Sequence, residues 1–106
     1  MSQSQRRRLG AVLYENFELL DLYGPLEMFG CLPEEIELVT VAERPGPVRS
    51  TPGPQTLAEF GFAECPELDL ILLPGGIGTL QQLGNAELHD FLRKRAANAE
   101  VTLSVC

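Results

Sequence analysis

Cys106, Asp21 and the pair Gly75-Gly76 are the residues of this chain whose chemistry could add up to a site. Cys106 closes a short apolar run, Val101 to Val105, that contains two valines and neither glycine nor proline, and such a run predicts a buried strand of a parallel sheet. A thiol at the C-terminal end of that strand stands where open α/β sheets place their ligands. As a thiolate, stabilised by a helix N-terminus or a cation, it would be a nucleophile of the kind carried on a sharp strand-to-helix elbow. The competing reading is a small buried hydrophobe at a strand end. Gly75-Gly76 follows the most apolar run, Leu68 to Leu73, and Pro74. Two backbone N–H groups in such a turn could face a developing negative charge, or the pair could simply end a strand.

Asp21 lies among Leu20, Leu22 and Tyr23 at an expected helix start. Apolar neighbours would favour its neutral, proton-donating form and the helix dipole would oppose that, while a plain N-cap role fits as well. Glu18 and Glu27 are alternatives on the same segment. His89, the only histidine, falls on the exposed side of a later helix and is read as solvated, so these 106 residues hold no Cys-His pair. Cys31 lies past a helix end and Cys65 in a loop before Pro66, both read as inert. Three cysteines at unrelated spacings, without CxxC or a Cys/His cluster, support neither a disulfide framework nor a zinc site. Gly76-Ile77-Gly78 is not a dinucleotide fingerprint, because Leu80 and Gln81 break GxGxxG.

The elements that must position these residues alternate between strand and helix. Leu9 to Tyr14 predicts the first strand, closed by Glu15-Asn16. Leu19, Leu22, Leu26 and Phe29 share one face of a helix ending near Gly30. Pro25 is tolerated only in a first turn, which places the start between about Leu20 and Gly24. Ile36 to Val41 predicts a second strand. Four prolines and two glycines between Glu43 and Pro54 exclude a helix there, with short strands possible at Val48-Arg49 or Gln55–Leu57. Phe60 to Glu67 reads as irregular, and Leu68 to Leu73 as a central strand. Asn85 is a suitable N-cap for a helix reaching Ala99, with Arg93 to Arg95 toward its C-terminal half. Strands alternating with amphipathic helices mean right-handed βαβ units and a parallel sheet. Two helices do not cover both faces of such a sheet. The chain is therefore expected to be the N-terminal part of a larger α/β domain over residues 9–106, behind a disordered tail at 1–8.

Eight basic against fifteen acidic residues give a net charge of −7, which argues against a nucleic-acid partner. Arg6-Arg7-Arg8 is too short a basic cluster to change that and is expected to fray. An apolar content of 44% is that of a globular chain. No apolar stretch approaches the ~20 residues of a membrane span, and Leu9 to Tyr14 is too short for a signal-peptide core, so a cytoplasmic protein is expected.

In order and spacing, four segments resemble the ThiJ/PfpI family of the class I glutamine amidotransferase-like superfamily. Phe17-Glu18-Leu19-Leu20-Asp21-Leu22-Tyr23-Gly24-Pro25 is similar to its E-x-L-D-L-x-G-P segment, and Pro45 to Ser50 to its G-P-V loop. Leu73-Pro74-Gly75-Gly76 is similar to its hPGG turn, and Leu103-Ser104-Val105-Cys106 to the start of its S-V-C-T-G elbow. Within the family the chain most resembles the isonitrile hydratase subgroup. The resemblance implies a flavodoxin-like doubly wound parallel sheet, of which this is the N-terminal half ending at the nucleophile elbow. It implies Cys106 as nucleophile, Asp21 as acid/base partner, and Gly75 and Gly76 as oxyanion-hole donors. A small-molecule isonitrile would be hydrated to an N-substituted formamide without metal or organic cofactor, in a homodimer completed by the C-terminal half of the domain. The same kind of domain also serves as the ligand-sensing half of AraC-type transcription regulators, and a cysteine so placed could be a redox sensor.

Overall fold

The computed structural model describes residues 6–105, without the side chain of Leu80. Its elements are β1 (Arg7–Val12), α1 (Leu19–Gly30), β2 (Ile36–Ala42), β3 (Gly46–Arg49), β4 (Gln55–Ala58), β5 (Phe60–Gly61), β6 (Leu70–Pro74), a single-turn α2 (Gly78–Gln81), a 3-10 turn (Gln82–Gly84), α3 (Ala86–Asn98) and β7 (Val101–Val105). Five strands form one sheet in the order β5-β2-β1-β6-β7, every neighbouring pair parallel. β3 and β4 form a separate antiparallel hairpin. The doubly wound arrangement expected from the sequence is thus present.

The period of two along β1 explains its two faces. Leu9, Ala11 and Leu13 enter a core with Phe17 and Leu22, against which Leu19, Leu26 and Phe29 of α1 pack. Val12 enters the other, with Val39, Val41, Leu68 and Ile71 under Leu88 and Phe91 of α3. α3 starts as its sequence predicts: the Asn85 side chain accepts from the Leu88 N–H at 3.1 Å. Arg95 of α3 donates to the Cys65 and Pro66 carbonyls, both at 2.7 Å, and lies over the Phe91 ring, which stacks on Phe62.

Several expectations are corrected. Arg7 and Arg8 do not fray: they open β1, Arg7 paired with Glu100 at 2.8 Å and Arg8 with Glu37 at 3.1 Å. Residues 1–5 of the expected tail lie outside the described residues. α1 begins at Leu19, earlier than the presence of Pro25 suggested, so the proline sits in its second turn. Pro25 has no N–H for the Asp21 carbonyl, a defect of ~3 kcal/mol in a helix interior. Burial of the Leu22 side chain, worth ~1.5–3 kcal/mol, and partial burial of Leu19, Leu26 and Phe29 outweigh it. Phe60–Gly61, read as irregular, adds a two-residue strand beside β2.

Among the described residues β7 pairs with β6, with Val101, Thr102 and Ser104 exposed and Leu103 and Val105 half-buried. Among the described residues no element lies beyond β7, and no helix is long and apolar enough to cross a membrane.

Candidate functional site

Three turns meet at the C-terminal edge of the sheet. The first follows β1, where Asn16 reverses the chain with φ of 66°, a left-handed conformation that asparagine tolerates better than most residues. Its side chain donates to Gln81 Oε1 at 3.0 Å. The second is the tip of the β3–β4 hairpin. Thr51 donates its N–H to the Phe17 carbonyl at 2.9 Å and its hydroxyl to the Asn16 carbonyl at 2.7 Å, while the Asn16 N–H donates to the Arg49 carbonyl at 2.8 Å.

The third turn is Gly75–Gly78, after β6. The Glu18 N–H donates to the Gly75 carbonyl at 2.7 Å, the Gly78 N–H to the Asn16 carbonyl at 3.1 Å, and the Thr79 N–H to the Gly76 carbonyl at 3.0 Å. Gly76 has φ of 142°, and a Cβ there would lie 2.6 Å from Glu18 N and 2.8 Å from Asn16 O. A Cβ on Gly78 would run into the Glu15 carbonyl oxygen. Both glycines are required by close backbone contact with the turn after β1. Among the described residues no acceptor is seen for the Gly76 N–H.

Asp21 is the third residue of α1, half-buried, and among the described residues nothing hydrogen-bonds to its carboxylate. It is not the N-cap, as the sequence allowed. That position is Glu18, whose side chain makes no capping bond. Glu27 is exposed on the same helix. Cys106 lies outside the described residues; β7 carries the chain as far as Val105, which pairs with Pro74 at the end of β6. The ends of β1, β6 and β7, expected to converge, are therefore adjacent and parallel.

Cys31 and Cys65 lie away from this edge, whereas His89 lines a cavity there with Gly75 and Val105. Cys65 is buried, donates to the Pro66 carbonyl at 3.3 Å, and burial pushes its thiol up against the opposing pull of Arg95 and Arg8. Cys31 is exposed at the end of α1. His89 is exposed as expected, its Nε2 at 3.0 Å from the Gln82 carbonyl. Glu87 is raised by a hydrogen bond to Glu43 and by that neighbour's charge, with Arg44 opposing. Among the described residues no three His, Cys, Asp or Glu side chains cluster as metal ligands would.

Sequence reasoning missed Tyr14, read only as the last residue of an apolar strand. Its hydroxyl donates to the Pro74 carbonyl at 2.6 Å and lies 3.0 Å from Thr79 Oγ1. The available signal was chemical: a tyrosine closing a buried run must find a partner for its O–H. Its ring stands between two cavities, one of about 390 Å³ reaching Glu43 and Asn85, the other of about 200 Å³ reaching Leu73, Leu92 and Val105.

Comparison with known proteins matches residues 8–106 to the DJ-1/PfpI family. The chain is 34% identical over 99 residues to an isonitrile hydratase of Pseudomonas putida, covering 93% of this chain and 43% of that one. It superposes on the crystal structure of a ThiJ/PfpI family protein from Pseudomonas syringae with a TM-score of 0.89 at 33% identity, over 95% of this chain and 42% of that one. It also matches Drosophila melanogaster DJ-1beta with a TM-score of 0.81 at 18% identity, over 95% and 55% of the two chains, a likeness of fold. The chain thus spans less than half the length of the two Pseudomonas proteins.

Proposed function

Because the chain belongs to the DJ-1/PfpI family, we propose that it carries the nucleophile of a cysteine-dependent enzyme for small electrophiles, and that its substrate is an isonitrile. The observation that carries this reading is the meeting of the β1, β6 and β7 ends, with the sequence placing Cys106 directly after Val105. The 34% identity to an isonitrile hydratase supports the choice of substrate.

In the proposed reaction the Cys106 thiolate forms a C–S bond to the isonitrile carbon while Asp21 gives that carbon a proton. The product of this step is a thioimidate. Water then adds to the same carbon, the C–S bond breaks, and the thiolate is regenerated. One water proton goes to nitrogen and the other back to Asp21, leaving an N-substituted formamide. Gly75 and Gly76 would donate N–H groups to the developing negative charge. No step calls for a metal or an organic cofactor.

We place this chemistry in a cytoplasmic homodimer whose domain is completed by a C-terminal half. The face offered to the second copy is the outer side of α1, where Leu20 and Met28 are each 73% exposed and Tyr23 is partly exposed. The Tyr23 hydroxyl, 2.6 Å from Thr56 Oγ1, fixes α1 to β4. The test is formamide release from an alkyl isonitrile by the protein and by Cys106→Ala. Turnover in the parent and none in the variant supports the reading; a variant that retains turnover overturns it.

A further inference from the structure

We infer that Tyr14 is a positioning residue for the Pro74-Gly75-Gly76 turn, acting through its phenol on the Pro74 carbonyl and the Thr79 hydroxyl. β1 and β6 pair only as far as Ala11 and Leu72, whereas β6 and β7 continue to Pro74 and Val105. The Pro74 carbonyl therefore lies beyond the ladder with β1, and Pro74 is fully buried. A buried carbonyl without a partner is unfavourable, and the Tyr14 hydroxyl supplies the bond at 2.6 Å. A phenol has one hydrogen and a carbonyl can only accept. The Thr79 hydroxyl, 3.0 Å away, must then donate to the phenol oxygen.

The consequence runs along the turn. With Pro74 held by Tyr14, the next two carbonyls are held by the N–H groups of Glu18 and Thr79, at 2.7 and 3.0 Å. Three successive carbonyls are thus fixed by groups on both sides of the turn, and the direction of its N–H groups is fixed with them, because each peptide unit is planar. Tyr14 joins the two sides, since its backbone belongs to the β1 turn and its hydroxyl reaches the start of α2. The effect on catalysis rests on the role proposed above for Gly75 and Gly76; the effect on the turn does not.

The experiment compares Tyr14→Phe, Thr79→Val and Thr79→Ser by amide hydrogen exchange and by steady-state formamide formation. In Tyr14→Phe, exchange at the Glu18 and Gly78 amides is expected to rise roughly tenfold while the β1–β2 amides keep their rates. kcat is expected to fall about tenfold, with KM held within about twofold, because a misdirected donor is felt in the transition state. Thr79→Val should move the same amides in the same direction, and Thr79→Ser should restore them. Unchanged exchange at Glu18 and Gly78 in both Tyr14→Phe and Thr79→Val overturns the proposal. A rise in KM at constant kcat overturns it too, by making Tyr14 a binding residue. If the unaltered protein gives no turnover, the enzyme reading fails, and the exchange rates alone decide the role of Tyr14. If Tyr14→Phe does not fold, Thr79→Val carries the same test.

Discussion

Replacing Gly76 by alanine tests whether the turn after β6 is held by backbone contact. An alanine at φ of 142° occupies a region essentially reserved for glycine, at ~1–3 kcal/mol. Its Cβ would also sit 2.6 Å from Glu18 N and 2.8 Å from Asn16 O, backbone atoms that cannot swing away as a side chain could. Relief requires the two turns to part, and that removes the Glu18 N–H bond to the Gly75 carbonyl, worth ~1 kcal/mol. A loss of about 3 kcal/mol is expected, read as a lower urea midpoint at constant slope. Gly24→Ala is the control: it lies inside α1, nothing stands within 4 Å of its added Cβ, and the change should stabilise by ~0.5–1 kcal/mol. A Gly76→Ala protein within ~1 kcal/mol of the parent would refute the contact argument, because strain alone accounts for that much.

Two further outcomes follow from the titratable groups. Burial raises the Cys65 thiol, so in the folded protein Cys65 should alkylate far more slowly than exposed Cys31 at about pH 8; equal rates would contradict its placement. Glu87 is raised in the folded state, so its hydrogen bond with Glu43 stabilises fully below the unfolded value of 4.5 and is lost as pH rises through the higher folded value. Urea midpoints of the parent should therefore fall relative to Glu87→Gln as the pH is raised from below the ordinary carboxylate range to above it, and parallel profiles would show that the pair does not form.

What the sequence made legible was local. Apolar runs located β1, β2 and β6, Asn85 announced the start of α3, and the order of segments around Asp21, Gly75-Gly76 and Cys106 pointed to the family. What it concealed was set by tertiary contact. The proline rule moved the start of α1 too far along, because the burial of Leu22 decides that helix rather than its propensity. The partners of Tyr14 and Thr51 could not be read from their surroundings in the chain, since the atoms they hold are far away along it.

That distance has a bearing on how the protein acquires its site. Thr51 and Asn16 are 35 residues apart, Tyr14 and Pro74 are 60, and Tyr14 and Thr79 are 65. Each bond closes a large loop, and its entropy must be met by strand pairing before the bond can contribute. A chain with β1 and β2 paired and β6 still free would have a hydrophobic core in the making and no turn for Gly75 and Gly76 to occupy. The edge where the chemistry is proposed is then among the last parts of the fold to form, and an unfolded chain carries Cys106 without the surroundings that would direct it.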